Sequence, residues 1–426
     1  MIYYERGSKT DIITPEETRA ILGEVFDKMG PRKRVMAIPP DFTRFNSYAG
    51  PITEMCDDYF GDRLTDIMPA LGTHSPMTPE QIKTMFGHTP AEKFRVHDWR
   101  NDVVTVGKIP SSYVKEVSEG RLDYEMDAQV NKLLLDPSFD LILSIGQVVP
   151  HEVIGMANYT KNIFVGVGGS DFINKSHFIG ASYGMERIMG RAKSPVRDVF
   201  EYAKVHYLSH VPIVYILTVR AKDEASGEMV TRGLFIGDDF ECFRKAAELS
   251  LETNFIMVDK QIRKCIVYLD PEEFKSTWLG NKSIYRTRMA LADGAELIVL
   301  APALKEFGED KTIDGLIRKY GYKGTPHTLE CTNANKDLQD NLGASAHLIH
   351  GSSEGRFSIT YCPGPDMSRE EIEGVGFNYC SYDDMVARYP IESLKDGWNT
   401  MPDGEEIYYI SNPALGLWAH PDRFKD

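Results

Sequence analysis

The sequence predicts an α/β fold: two mixed α/β domains, 1–260 and 261–426, with the active site in the interdomain cleft. Three observations lead there. At 426 residues the chain is too long for one ordinary core. Short apolar runs alternate with stretches of helical period in both halves. The residues of rarer chemistry fall just after those runs, where open α/β sheets hold their ligands.

The elements follow in order. Arg34–Ile38 (RVMAI) reads as the first clear strand, stopped by Pro39-Pro40, which cannot donate to a ladder. The loop DFTRFNSYAG leads to a helix over Ile52–Tyr59. DIMPALG, ending at Gly72, reads as a strand entering a loop with His74. Thr78, Pro79 and Gln81 form a capping box that starts the next helix. Asp140–Ile145 (DLILSI) has the continuous apolar character of a buried strand. Ile163–Gly169 (IFVGVGG) is a further apolar, Gly-rich stretch. Ser176-His177 precedes a helical segment with Met185, Ile188 and Met189. Val211–Val219 reads as a strand and Phe240–Ser250 as an amphipathic helix. In the second half, Cys265–Leu269, Glu296–Leu300, Ala346–His350 and Ile407–Ile410 read as strands. Ile284–Leu291, Thr312–Tyr320 and SYDDMVARYP read as helices.

Composition narrows the function. Lys plus Arg is 48 and Asp plus Glu is 63, a net charge of −15. Such a surface repels a phosphate backbone, and no strong basic patch offsets it, so nucleic acid is not an expected partner. Six cysteines without a CxxC pair argue against a disulfide framework or a structural zinc site and for a reducing compartment. The start, MIYYERGSKTD, lacks the apolar region of a signal peptide, and no run reaches the roughly 18 apolar residues of a membrane span. The expectation is a cytoplasmic protein with no membrane partner.

The chemistry sits in a short inventory. Asp41, Thr43 and Arg44 follow the first strand. His74 follows the next. His151, Lys161 and His177 follow DLILSI. Two imidazoles can serve as general acid and base, since they titrate near neutrality. An arginine fork matches a carboxylate or phosphate. A third histidine can bind a metal, but the spacings are not those of an all-protein zinc site such as HExxH. A metal would therefore need an unusual partner such as an organic cofactor. An NAD dehydrogenase is disfavoured: Gly166-Val167-Gly168-Gly169 lacks the GxGxxG spacing.

These segments resemble the nickel-dependent lactate racemase family. Asp41-Phe42-Thr43-Arg44 resembles its DxTR motif, and Leu71–Thr78 (LGTHSPMT) its GxHRPxT segment. Pro150-His151-Glu152 through Lys161 resembles the segment with a catalytic histidine and, ten residues on, the cofactor-tethering lysine. His177 falls where the family has its protein ligand to nickel. The resemblance implies a nickel-pincer nucleotide, a pyridinium-3,5-bisthiocarboxylic acid mononucleotide carrying nickel(II), bound covalently to Lys161 and ligated by His177. It implies His74 and His151 as the catalytic pair, and Asp41, Thr43, Arg44 and Lys175 as cofactor contacts. The implied reaction is inversion at C2 of a 2-hydroxy acid by proton-coupled hydride transfer to and from the cofactor. Enzymes that build the cofactor and insert nickel are the implied partners.

The sequence also departs from the family. Met156–Thr160 replaces a Gly-rich stretch before the lysine, and Ser75 replaces an arginine. In the segment resembling Ile284–Met289, Arg286 and Met289 stand where the family has a glutamine and a lysine. Arg44 is a candidate for carboxylate binding, with Arg286 and Arg288 as candidates from the second domain, and the expected substrate is a 2-hydroxy acid other than lactate. The alternatives are another redox reaction on the same cofactor and a non-catalytic binding protein.

Overall fold

The computed structural model describes residues 1–223 and 225–425. The chain forms two compact units. The first holds Met1–Tyr183 and Ile188–Asn254, the second Phe255–Asp426 together with the short segment Gly184–Arg187.

The first unit is built on β1 (Ile2–Gly7), β2 (Val35–Ile38), β3 (Leu64–Ile67), a hairpin of β4 (Val103–Ile109) and β5 (Met126–Asn131), β6 (Leu141–Gln147), a minimal hairpin of β7 (Pro150–His151) and β8 (Gly155–Met156), then β9 (Ile213–Lys222) and β10 (Met229–Gly237). Its main sheet runs β1-β10-β9-β6-β2-β3. β3, β2, β6 and β9 are parallel, and β10 and β1 add an antiparallel edge. The chain moves from β2 to β3 on one side and then returns to place β6 on the other. The sheet therefore has a topological switch point between β2 and β6, where a crevice opens beyond the carboxyl ends of the strands.

β2 is buried at every position, as a strand covered on both faces must be. One face packs Val35, Ala37, Leu141, Leu143 and Ile145 against Leu22, Val25 and Phe26 of helix Pro15–Met29 and Ile52 and Cys56 of helix Ala49–Phe60. The first of these helices starts with a full capping box, Thr14 with Glu17. A second packing centre is aromatic. Phe164, Phe172 and Phe200 lie 5.1–5.9 Å apart and fix helix Ser170–Tyr183 against helix Pro195–Tyr207.

The second unit repeats the architecture. Its strands are β11 (Ile256–Met257), β12 (Ile262–Tyr268), β13 (Leu291–Ala301), β14 (Ser358–Pro363), β15 (Asn378–Tyr379), β16 (Gly397–Thr400), β17 (Glu406–Ile410) and β18 (Trp418–Ala419). The sheet order is β15-β14-β13-β12-β17-β16, parallel except for β16 at the edge. Among the described residues no helix is long and apolar enough to cross a membrane.

Several expectations are corrected. Ala346–His350 is not a strand but the end of helix Leu342–His350. A short apolar run buried all round carries no period to separate the two. The strand expected in DIMPALG lies earlier, at Leu64–Ile67, because Pro69 cannot donate. Pairing continues past it only as single bonds, Met68 N–H to Ala37 (2.9 Å) and Ala70 N–H to Pro39 (2.8 Å). IFVGVGG begins in a π-helical turn, Asn162–Gly166. His177 does not precede a helix; it sits inside one, Ser170–Tyr183. Of the helix expected over Ile284–Leu291, only Lys282–Tyr285 forms, since Leu291 already starts β13.

Candidate active site

A cavity of about 260 Å³ opens beyond the carboxyl ends of β2, β3 and β6. Asp41, Thr43 and Arg44 reach it from the turn after β2, His74 from the loop after β3, and His151 from the β7–β8 hairpin. Lys161 and His177 complete the set. Seven residues scattered over 137 positions of sequence thus share one wall system within the first unit.

Asp41 caps the 3₁₀ turn Phe42–Ser47. Its Oδ1 accepts hydrogen bonds from the Thr43 backbone N–H (3.1 Å) and hydroxyl (2.5 Å). Its Oδ2 accepts from Nδ1 of His74 at 2.6 Å. Burial alone would raise the Asp41 carboxyl, but the His74 and Thr43 hydrogen bonds hold it below its ordinary value. An ionised carboxylate can only accept, so Nδ1 of His74 carries the proton and the Nε2 of the neutral ring keeps its lone pair. Half of the His74 side chain is exposed, whereas Asp41 is buried beneath it.

His151 is arranged the opposite way. Its Nδ1 accepts the backbone N–H of Val153 at 3.1 Å. Burial pushes the ring down to about 3; Glu152 opposes the shift, and Lys161, His177 and Arg44 reinforce it. The neutral ring with Nδ1 occupied as an acceptor carries its proton on Nε2.

Lys161 ends a strap formed by Met156–Thr160. Asn158 and Tyr159 both take left-handed backbone angles, with φ of 67° and 58°. The next residue, Asn162, is buried and donates from Nδ2 to the Ile38 carbonyl (2.9 Å) and to the Ser144 hydroxyl (3.0 Å). It pins the lysine's backbone between the ends of β2 and β6. Gly146 lets the strap come close: a Cβ there would sit 2.4 Å from the Asn158 amide nitrogen. The Lys161 amine forms no hydrogen bond or ion pair among the described residues. Burial, with Arg44 nearby, pushes it down to about 8.

His177 donates from Nδ1 to the Ile173 carbonyl one helical turn back, at 2.7 Å. Its Nε2 is left with a lone pair, and burial pushes the ring down to about 4, so it is neutral at ordinary pH. This is how metal-ligating imidazoles are commonly held, with one nitrogen fixed on a carbonyl and the other offered. Among the described residues no group of three or more His, Cys, Asp or Glu side chains is arranged to hold a metal ion.

Three candidates lie elsewhere. Lys175 donates to the Glu125 carbonyl (2.8 Å) and pairs with Asp171 (2.7 Å), outside the cavity lining. Arg286, in the second unit, donates to the carbonyls of Ala414 and Gly416, both at 3.3 Å. Arg288, also in the second unit, is 3% exposed and engaged by Glu186 (2.9 Å) and the Ser352 carbonyl (3.1 Å). Asn158, Asn162 and Gln147 line the cavity without having been singled out from the sequence. No motif marks a lone amide; only their places beside Lys161 and at the end of β6 hinted at them.

The comparisons with known proteins bear on the fold and on the N-terminal domain. The family model of the lactate racemase N-terminal domain matches residues 20–186. No curated protein sequence matches the chain. A crystal structure of a protein from Thermotoga maritima is similar over 97% of this chain and 100% of its own, with a TM-score of 0.75 and 22% identity. The lactate racemase apoprotein from Thermoanaerobacterium thermosaccharolyticum is similar over 96% of this chain and 93% of its own, with a TM-score of 0.66 and 17% identity. At those identities the structures establish a shared fold. Residues 20–186 thus match a lactate racemase N-terminal domain, and the whole chain shares its fold with the lactate racemase apoprotein.

Proposed function

We propose that this protein is a racemase or epimerase that inverts C2 of a 2-hydroxy acid other than lactate, using a nickel-pincer nucleotide tethered to Lys161. The observation that carries the reading is the pair formed by an unpartnered Lys161 amine and a His177 Nε2 lone pair in one cavity. These residues fit the group. The amine is pushed toward its nucleophilic form, as an acyl or thioacyl linkage to it requires. A single imidazole is a sufficient protein ligand when the other donors come from the organic group, and soft sulfur with imidazole suits nickel(II). When bound, the group supplies the two-electron acceptor through which the C2 hydrogen leaves and returns.

The chain's own residues do the rest. His74, with Nδ1 held by Asp41, takes the proton of the substrate hydroxyl at Nε2. His151 donates a hydrogen bond from Nε2 to the oxygen in the inverted orientation, and the proton held by His74 returns to that oxygen, so both rings end neutral. Arg44 lies on the cavity wall with no ion pair or hydrogen bond of its guanidinium among the described residues, and it is the group suited to the substrate carboxylate. Enzymes that build the nucleotide and insert nickel would load the protein.

The test is intact mass and nickel content after production alongside those enzymes, with Lys161→Ala as control, followed by a screen of chiral 2-hydroxy acids. The expected result is an adduct and nickel, both lost in the control, and interconversion of C2 epimers. A folded protein without adduct, from cells that load a known racemase, overturns the reading. Release of a 2-oxo acid without the epimer would instead identify a net oxidation on the same group.

A further inference from the structure

Among the described residues Arg197 is the largest fully buried side chain, with no exposed surface. It lies on helix Pro195–Tyr207, whose cap Ser194 accepts its backbone N–H at 3.1 Å. Among the described residues no carboxylate pairs with its guanidinium. Burying a cation is costly; Glu201 favours its charge without pairing with it, Nε has no hydrogen-bond partner, and the hydrogen bonds of the two terminal nitrogens offset the rest. All of those bonds go to one place. Nη2 donates to the Met156 carbonyl (2.7 Å), and Nη1 donates to the Asn158 carbonyl (3.2 Å) and the Thr160 hydroxyl (2.7 Å). The fork therefore grips every second residue of the strap that ends at Lys161. The face of the guanidinium rests on Phe243, 4.3 Å from the ring centre, and Phe243 also stacks on Tyr159 at 5.1 Å and 13°.

The grip coincides with backbone that does not hold itself. Two successive non-glycine residues, Asn158 and Tyr159, occupy the left-handed region, which costs free energy unless the surroundings enforce it. Asn162 anchors the far side of Lys161 to Ile38 and Ser144. Lys161 is thus fixed from both sides, by Asn162 after it and by the Arg197 fork before it.

We infer that Arg197 is a positioning residue for Lys161: its three hydrogen bonds hold the Met156–Thr160 strap in the left-handed conformation that presents the lysine amine to the cavity. It does not itself line the cavity, and its contact with the lining runs through the Asn158 carbonyl of the strap. The inference rests on the tether role proposed for Lys161 only in its functional half; the conformational half stands alone. A lysine cannot substitute, because one ammonium cannot reach acceptors spread along two arms of a planar fork.

The experiment compares wild type with Arg197→Met, Arg197→Lys and Phe26→Leu, the last a core change far from the strap that lowers the melting temperature. Two quantities are read: hydrogen–deuterium exchange of amides 156–162, and the fraction of chains carrying an adduct at Lys161 after production with the cofactor-building enzymes. Both Arg197 variants should speed strap exchange by at least about tenfold, the protection that one charge-assisted hydrogen bond contributes. Both should lower loading at least about fivefold, more than Phe26→Leu does at an equal or greater loss of melting temperature. Strap exchange and loading no different from Phe26→Leu would overturn the inference. If wild type itself takes no adduct, the Lys161 reading fails, and the exchange data still decide whether Arg197 holds the strap.

Discussion

Nδ1 of His74 lies 2.6 Å from Oδ2 of Asp41, and that one bond leaves Nε2 as the His74 nitrogen without a partner from Asp41 in the cavity lining. The carboxylate is itself held by Thr43, so it cannot turn away. Asp41→Asn removes the charge that stabilises a protonated His74 while keeping the size of the side chain. Epimer interconversion by loaded protein should fall by about a hundredfold, in the range that general acid–base groups contribute. Adduct content by intact mass should stay near wild type. Interconversion within about threefold of wild type would rule out the pair.

His151 is set in the opposite tautomer by the Val153 amide, so the two histidines are unequal partners. His151→Gln keeps a side-chain N–H donor; His74→Gln loses a lone-pair base. His74→Gln should therefore cost on the order of 10²–10⁴-fold in turnover and His151→Gln only about tenfold. The losses in kcat/KM must be equal in both directions at a fixed equilibrium constant, so the comparison is one of magnitude. Equal damage from both changes would mean that His151 leaves the Val153 amide and works as a full base.

Much of this site was legible in the sequence because the fold concentrates chemistry at strand ends. Asp41, Arg44, His74 and His151 were found by their places after apolar runs, and the cavity lies where a β2/β6 switch point puts it. His177 was singled out for its spacing from Lys161, although its helical setting was missed: the Gly-rich run before Ser170 masks the start of Ser170–Tyr183. Arg197 left no trace in the sequence, since an arginine two residues after a proline reads as solvated helix surface. Its burial depends on the strap folding over it, a contact between segments nearly 40 residues apart. Arg288 illustrates the converse. Sequence placed it among substrate candidates, and the structure gives its guanidinium to Glu186 and the Ser352 carbonyl.

Acid should destabilise the unloaded protein through its buried imidazoles. His151 is pushed down to about 3 and His177 to about 4. An unfolded chain protonates both near their ordinary value of about 6.5. Below that pH the unfolded state binds more protons than the folded state, so stability falls as pH falls, from about 6.5 toward 4. Each residue contributes a slope of up to about 1.4 kcal/mol per pH unit. The double variant His151→Gln/His177→Gln should show a shallower loss between pH 6.5 and 4.5 by urea unfolding. Identical pH slopes would mean that these rings are not buried neutral.

The Lys161 amine should titrate far below an ordinary lysine. Burial and Arg44 push it down to about 8 against the opposing pull of Glu152 and Asp41, neither of which forms an ion pair with it among the described residues. Competitive acetylation read by mass spectrometry should give a Lys161 reactivity curve centred near pH 8, well below the range of about 10 for an ordinary lysine. Arg44→Ala removes a like charge from the cavity wall and should move the Lys161 midpoint upward. The direction separates the two causes. If burial acted alone, Arg44→Ala would leave the midpoint in place, and if the amine were paired with a carboxylate in solution, the wild-type midpoint would already stand above 10. A midpoint near 8 that rises in the variant establishes a lysine kept reactive by its neighbours at neutral pH, which is what an amine destined for a covalent linkage requires.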